Sequence, residues 1–152
     1  MATIAISLGI VNKSVSEESG RLSVAVAESD IEAIVRVFGG DQVDTFSVFK
    51  GCILRSGLQV ESDVIDRMAG ADAVVWSGFL KESAAINAGL DQIPPGSKKA
   101  GTPAWIDVSK GAARVDLPTT SCYSDNDYEL VSGDPFFWLN PTNGSVIAQN
   151  IA

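Results

Sequence analysis

Short runs of apolar and β-branched residues alternate with amphipathic segments along most of this chain, and that alternation limits the fold more than any other feature. Four runs have the length and composition of buried strands: 22–27, 42–49, 71–77 and 103–108. Helical patterns over 31–38, 64–69 and 80–90 separate these runs. Strands that alternate with helices build a parallel sheet that is covered on both faces. The sequence therefore predicts an α/β fold with a largely parallel four-stranded sheet flanked by helices.

The first predicted helix carries local signals at both of its ends. Ser29 and Glu32 have the spacing of a capping box, which predicts that the Ser29 side chain caps the helix. Gly39 and Gly40 supply a stop signal at the other end. Apolar side chains at helical spacing predict one buried stripe between these signals: Ile31, Ile34, Val35 and Phe38.

The end of the chain predicts a further helix. Asn140 is a suitable N-cap, and Pro141 occupies the first helical position. The helical pattern then reaches Ala152 without a C-cap, so we expect this lobe to be a truncated part of a longer chain. We expect an apolar and polar N-terminal segment over residues 1–20 and one folded lobe over residues 21–152.

The composition excludes several classes of function. The 152 residues include 11 Lys and Arg against 19 Asp and Glu, a net charge of −8, which predicts that nucleic acid is not a partner. Histidine is absent, which excludes Ser-His-Asp and Cys-His catalysis and Cys/His zinc fingers. Whatever function this chain has, an imidazole takes no part in it. The apolar run over residues 2–11 is too short to cross a membrane and lacks the flanks of a clear signal peptide.

The most specific motif lies near the end of the chain. Residues 133–141 read Gly-Asp-Pro-Phe-Phe-Trp-Leu-Asn-Pro and are followed by a helical segment rich in Ala, Asn and Ile. Upstream, residues 39–43 read Gly-Gly-Asp-Gln-Val, and residues 71–78 read Ala-Asp-Ala-Val-Val-Trp-Ser-Gly. In this order and spacing, the chain from residue 22 to residue 152 resembles the periplasmic substrate-binding proteins of zinc and manganese ABC transporters.

This resemblance implies a fold, a function and a location. The implied fold is the N-terminal lobe of a two-lobed binding protein, ending at the start of the helix that links the lobes. The implied function is the capture of a divalent cation, zinc or manganese, for an ABC permease and its ATPase, so the resemblance implies a protein that is not an enzyme and has no catalytic residues. The implied location is periplasmic or extracellular, in association with the membrane. A second lobe or a homodimer would complete the cleft.

The same resemblance places metal ligands at positions where this chain departs from the family. The two histidine ligands that the family carries in this lobe correspond to positions near Ser56 and at Phe136. A phenyl ring cannot coordinate a cation, and a neutral hydroxyl is a weak ligand. The resemblance therefore implies a metal site that is degenerate or altered.

Two other groups of side chains are candidate replacements for the histidines. Cys52 lies in the loop after the second predicted strand, where a thiolate is a possible metal ligand. Asp125, Asp127 and Glu129 alternate along the chain, so in an extended segment their carboxylates project to one side, as a hard cation requires. Two simpler interpretations stay open: Cys52 has no role or pairs with Cys122, and the acidic residues form a solvated loop.

Two alternative functions also stay open. One is a ligand-free interaction module. The other is a flavodoxin-like enzyme domain that binds a small molecule, which needs a glycine-rich turn after the first strand, whereas residues 27–30 read Ala-Glu-Ser-Asp. Aromatic residues near the predicted strand ends are either core or the lining of an apolar pocket: Trp76, Phe79, Phe136, Phe137 and Trp138.

Overall fold

The protein folds around one parallel β-sheet, seen in a computed structural model that describes residues 20–50, 59–78, 82–93, 102–114 and 136–152. The described strands are β1 (Leu22–Val26), β2 (Val43–Ser47), β3 (Ala73–Trp76) and β4 (Trp105–Asp107). The described α-helices are α1 (Ser29–Gly39), α2 (Ser62–Gly70), α3 (Glu82–Leu90) and α4 (Pro141–Ile151). Two single turns of 3-10 helix cover Gly40–Gln42 and Phe137–Leu139.

The four strands are parallel and follow the order β2-β1-β3-β4. β1 pairs with β2 through Val26 and Ser47, and with β3 through Val26 and Val75. The predicted parallel sheet with flanking helices is therefore confirmed.

Side chains of the central strands alternate between two buried layers, because successive residues of a strand point to opposite faces. Ala25 and Val74 belong to the layer formed with α2 and α3, which contains Met68 and Ile86. On the opposite face, the second layer is built against α1 and α4 from these buried side chains: Val24, Val26, Ile31, Val35, Val75, Val108, Phe137 and Ile147. Both faces of the sheet are thus covered, as expected for parallel strands.

The predicted capping box at the start of α1 is wrong. Ser29 is the first helical residue, Glu28 is the N-cap, and no side chain caps the helix there. The Glu32 carboxylate instead accepts hydrogen bonds from the hydroxyls of Thr45, at 2.9 Å, and Ser47. These tertiary contacts tie α1 to β2 and take the place of the local capping interaction.

The predicted apolar stripe of α1 is correct only in part. Ile31 and Val35 are buried against the sheet, whereas Phe38 is 57% exposed. Phe38 lies one residue before the end of the helix at Gly39, where the chain turns through Gly40 at a φ of 51°. At the start of α4, the predicted cap is confirmed: the Asn140 side chain accepts a hydrogen bond from the Thr142 amide at 3.1 Å.

Candidate functional site

The carboxyl ends of the four parallel strands define the edge of the sheet where a ligand site is expected. β1 connects to β2 on one side of the sheet and β3 connects to β4 on the other, so the strand order reverses between β1 and β3. Open α/β sheets bind their ligands in the crevice at such a reversal. Glu28, which is 3% exposed, lies just beyond β1, and the buried Ser77 follows β3. We call this side of the sheet the carboxyl edge.

A compact hydrogen-bonded group joins the ends of β3 and β4 at the carboxyl edge. Asp107 Oδ1 accepts hydrogen bonds from the Ser109 hydroxyl at 2.6 Å, from the Ser109 amide at 2.9 Å and from the Gly78 amide at 3.2 Å. The Gly78 amide also donates to Ser109 Oγ at 2.9 Å. A half-buried carboxylate is thereby held in one orientation by neighbouring donors.

Two asparagines of α4 hold the segment that follows β4. Asn143, which is 1% exposed, donates to the carbonyl oxygens of Ala113 and Phe137 at 3.0 Å each and accepts from the Ala113 amide at 2.8 Å. Asn150 donates to the carbonyl oxygens of Val108 at 3.1 Å and Lys110 at 2.9 Å. Sequence reasoning missed both roles. The one available signal was their spacing of seven residues, which places them on the same face of the helix.

Phe136 is the one position of the predicted metal site that the structure describes. It is 40% exposed and immediately precedes the 3-10 helix over Phe137–Leu139. Its ring packs edge-on against Trp138 with the ring centroids 5.7 Å apart. Because Asn143 ties the neighbouring Phe137 carbonyl to Ala113, position 136 lies close to the segment that leaves β4.

The other predicted ligands lie outside the described residues: Ser56, Cys52, Asp125, Asp127 and Glu129. The same holds for Phe79 and Cys122. Among the residues that the structure describes, no group of three or more His, Cys, Asp or Glu side chains is arranged to hold a metal ion.

The predicted aromatic residues do not form one pocket where the structure describes them. Trp76 packs with the α2 and α3 layer and stacks at a tilt on Trp105, with centroids 5.2 Å apart. Phe137 and Trp138 belong to the opposite layer, and Phe137 is fully packed there. These side chains therefore contribute to two parts of the core.

None of the described helices has the length and apolar character needed to cross a membrane.

Comparison with known proteins relates the chain to a group of transport proteins. No protein-family model matches it. It is 27% identical over 140 residues to the metal ABC transporter substrate-binding lipoprotein SsaB of Streptococcus sanguinis, a match that spans 92% of this chain and 43% of SsaB. It is 26% identical over 132 residues to the manganese ABC transporter substrate-binding lipoprotein PsaA of Streptococcus anginosus, which spans 87% of this chain and 40% of PsaA. The chain thus spans about two fifths of the length of these curated relatives.

This chain also aligns with solved structures of the same fold, and it covers a similar share of their length. A manganese-bound mutant of the periplasmic metal-binding protein of candidatus liberibacter asiaticus aligns with a TM-score of 0.62 and 23% identity, over 86% of this chain and 43% of the other. AdcAII of Streptococcus pneumoniae aligns with a TM-score of 0.59 and 21% identity, over 88% and 44%. A zinc-bound deletion mutant of ZnuA aligns with a TM-score of 0.63 and 18% identity, over 86% and 44%. The chain is thus related in sequence to the metal ABC transporter substrate-binding lipoproteins, and its fold is that of one lobe of the two-lobed periplasmic metal-binding proteins.

Proposed function

We propose that this chain is a substrate-binding lobe that captures a divalent cation, manganese or zinc, for an ABC permease and its ATPase. The observation that carries the proposal is the match to a metal ABC transporter lipoprotein over 92% of the chain, together with the one-lobe fold. Capture by one lobe alone leaves a cation half open to water, so a second lobe or a second copy of this lobe closes the site. The proposed protein is exported, acts at the membrane surface and performs no catalysis.

The proposed ligand set differs from a histidine site, because this chain has no histidine. We infer that thiolate and oxygen ligands replace the imidazoles: Cys52, Ser56, Asp125, Asp127 and Glu129. Carboxylates suit manganese, whereas a thiolate suits zinc. The choice between the two cations therefore depends on whether Cys52 or the acidic residues dominate the site.

The described part of the carboxyl edge supports this placement. Glu28 lies buried beyond β1, and the Asp107 carboxylate is held at the end of β4 by three donor groups. Both side chains thus place carboxyl oxygen atoms, which are ligands that hard cations prefer, at this edge. Phe136 lies close to the segment that leaves β4, at a position where the resemblance implies a ligand. Its ring supplies no donor atom, so in this proposal it shapes the site without binding the metal.

The alternative of a flavodoxin-like enzyme domain has less support. β1 is followed by Ala27, Glu28 and Ser29, so the turn into α1 contains no glycine. A phosphate group needs close approach to backbone amides at such a turn. Glu28, a side chain without an N–H donor for a phosphate, is buried at the same place.

Calorimetric titration of the demetallated full chain with manganese and with zinc tests the proposal. We expect saturable binding with a dissociation constant below about 1 μM, which corresponds to about 8 kcal/mol. Cys52→Ser is expected to weaken zinc binding, and the double change of Asp125 and Asp127 to Asn is expected to weaken manganese binding.

The matched control is the double change of Asp66 and Asp91 to Asn, which alters the net charge equally at two exposed sites away from the carboxyl edge. It is expected to bind both cations as the unchanged chain does. Absence of heat and of protein-bound metal with both cations overturns the proposal and leaves the ligand-free interaction module as the explanation. If the control weakens cation binding to the same extent, net charge alone accounts for the binding, and the proposed ligand set is overturned as well.

A further inference from the structure

The side chains of Asn143 and Asn150 on α4 form hydrogen bonds with backbone atoms of the segment that follows β4. Asn150 binds the carbonyl oxygens of Val108 and Lys110, and Asn143 binds both polar backbone atoms of Ala113. The partners are 30 to 42 residues away in sequence. These hydrogen bonds fix the backbone of residues 108–113 against α4, and they do not depend on which side chains that segment carries.

Residues 107–110 also fix the backbone at the end of β3. Ser109 lies between the two carbonyls that Asn150 binds, and its hydroxyl accepts from the Gly78 amide and donates to Asp107. Asp107 Oδ1 accepts from Gly78 as well. A continuous series of direct contacts therefore runs from α4, through residues 107–110, to the end of β3.

There is little free space where Gly78 meets the side chains of Ser109 and Asp107. A Cβ atom placed on Gly78 would lie 2.9 Å from Ser109 Oγ and 3.0 Å from Asp107 Oδ2, closer than ordinary van der Waals contact. Ser109 and Asp107 thus leave no room for a side chain at position 78, and a displacement of Ser109 has to move Gly78 or break its hydrogen bonds. The geometry at the carboxyl ends of β3 and β4 depends on where α4 holds residues 108–110.

We propose that Asn150 is a positioning residue, supported by Asn143, that couples the position of α4 to the carboxyl edge of the sheet. Its consequence for cation binding rests on the proposed function. A shift of α4 reaches Asp107 and Gly78 through this series of hydrogen bonds, so the affinity of the edge for a cation depends on a side chain that does not touch the cation.

Amide hydrogen exchange, measured residue by residue by NMR on the full chain, tests the coupling without any ligand. Asn150→Asp keeps the shape of the side chain but removes both N–H donors and places a carboxylate against two carbonyl oxygens. We expect the amides of Gly78 and Ser109 to exchange about thirtyfold faster in this variant, because two hydrogen bonds of ordinary strength are lost.

The matched control is Gln149→Glu, which makes the same amide-to-carboxylate change at an exposed position of the same helix. It is expected to leave both amides unchanged. The Val48 amide, which binds the Val26 carbonyl at the other side of the carboxyl edge, is expected to stay protected in both variants. If exchange at Gly78 is unchanged in Asn150→Asp, the position of α4 does not affect the end of β3, and the coupling is overturned. If the Val48 amide exchanges faster to the same extent, the whole protein is destabilised, and the coupling is also overturned.

Manganese titration of the same two variants completes the test. Weaker binding by Asn150→Asp than by Gln149→Glu supports the positioning role, and equal affinity overturns it. A chain that binds no cation in either form contradicts the proposed function, whereas the exchange result still decides whether α4 positions the edge.

Discussion

Replacing Asn143 with alanine removes three hydrogen bonds from a side chain that is 1% exposed. Each such bond contributes about 1 kcal/mol net, and the backbone groups left behind lose their partners inside the protein. We therefore expect the free energy of unfolding to fall by about 3 kcal/mol. That is a large part of the 5–15 kcal/mol or so that a domain of ordinary stability has.

Urea denaturation followed by circular dichroism measures this loss. With a denaturant dependence of about 2 kcal/mol per molar urea, the midpoint should fall by about 1.5 M while the slope stays constant. Asn87→Ala is the matched control, because Asn87 is an exposed residue of α3. It should change stability by no more than about 0.5 kcal/mol. A loss below about 1 kcal/mol for Asn143→Ala would refute the claim that this side chain secures the segment after β4.

Two further substitutions test the packing of the sheet layers and the end of α1. Ile147 is fully buried in the layer between the sheet and helices α1 and α4, so Ile147→Ala should lower the free energy of unfolding by about 2–5 kcal/mol. Val146 is half-buried, so Val146→Ala should lower it clearly less in the same urea assay. Gly40→Ala, at a φ of 51°, should lower the free energy of unfolding by about 1 kcal/mol, while Gly70→Ala, at the end of α2 with open space around it, should be neutral or stabilising. Equal effects within either pair would contradict the assigned burial or backbone conformation.

The sheet was predictable because its signals are local. Runs of Val, Ala and Trp between helical segments predict buried parallel strands, and the structure has a strand within each of the four runs. The second run also contains two polar side chains, Thr45 and Ser47, and β2 lies at one end of the described strand order.

Both errors concern α1, and the first came from contacts that no local pattern encodes. Glu32 fits a capping box by spacing, yet it binds two hydroxyls on β2 that are 13 and 15 residues away. Phe38 continues the apolar periodicity of α1, but the helix ends at Gly39, and the Phe38 side chain is left exposed.

The candidate site was predictable only in part for the same reason. The resemblance to metal-binding lobes singled out Phe136, and the structure places it beside the segment that leaves β4. The partners of Asn143 and Asn150 are backbone carbonyls and an amide, which any residue carries. A sequence pattern therefore contains no mark of which backbone atoms those side chains reach.

Restoring one imidazole at the proposed site tests the central claim most directly. Phe136→His introduces a metal ligand beside the segment that leaves β4, where the proposed site lies, and Phe38→His introduces one at a similarly exposed position near the end of α1. Calorimetric titration with zinc should show about tenfold tighter binding for Phe136→His than for the unchanged chain, with no gain for Phe38→His. Equal zinc affinity for Phe136→His and the unchanged chain, or the same gain in Phe38→His, would contradict the claim that this lobe holds a cation at the carboxyl edge of its sheet.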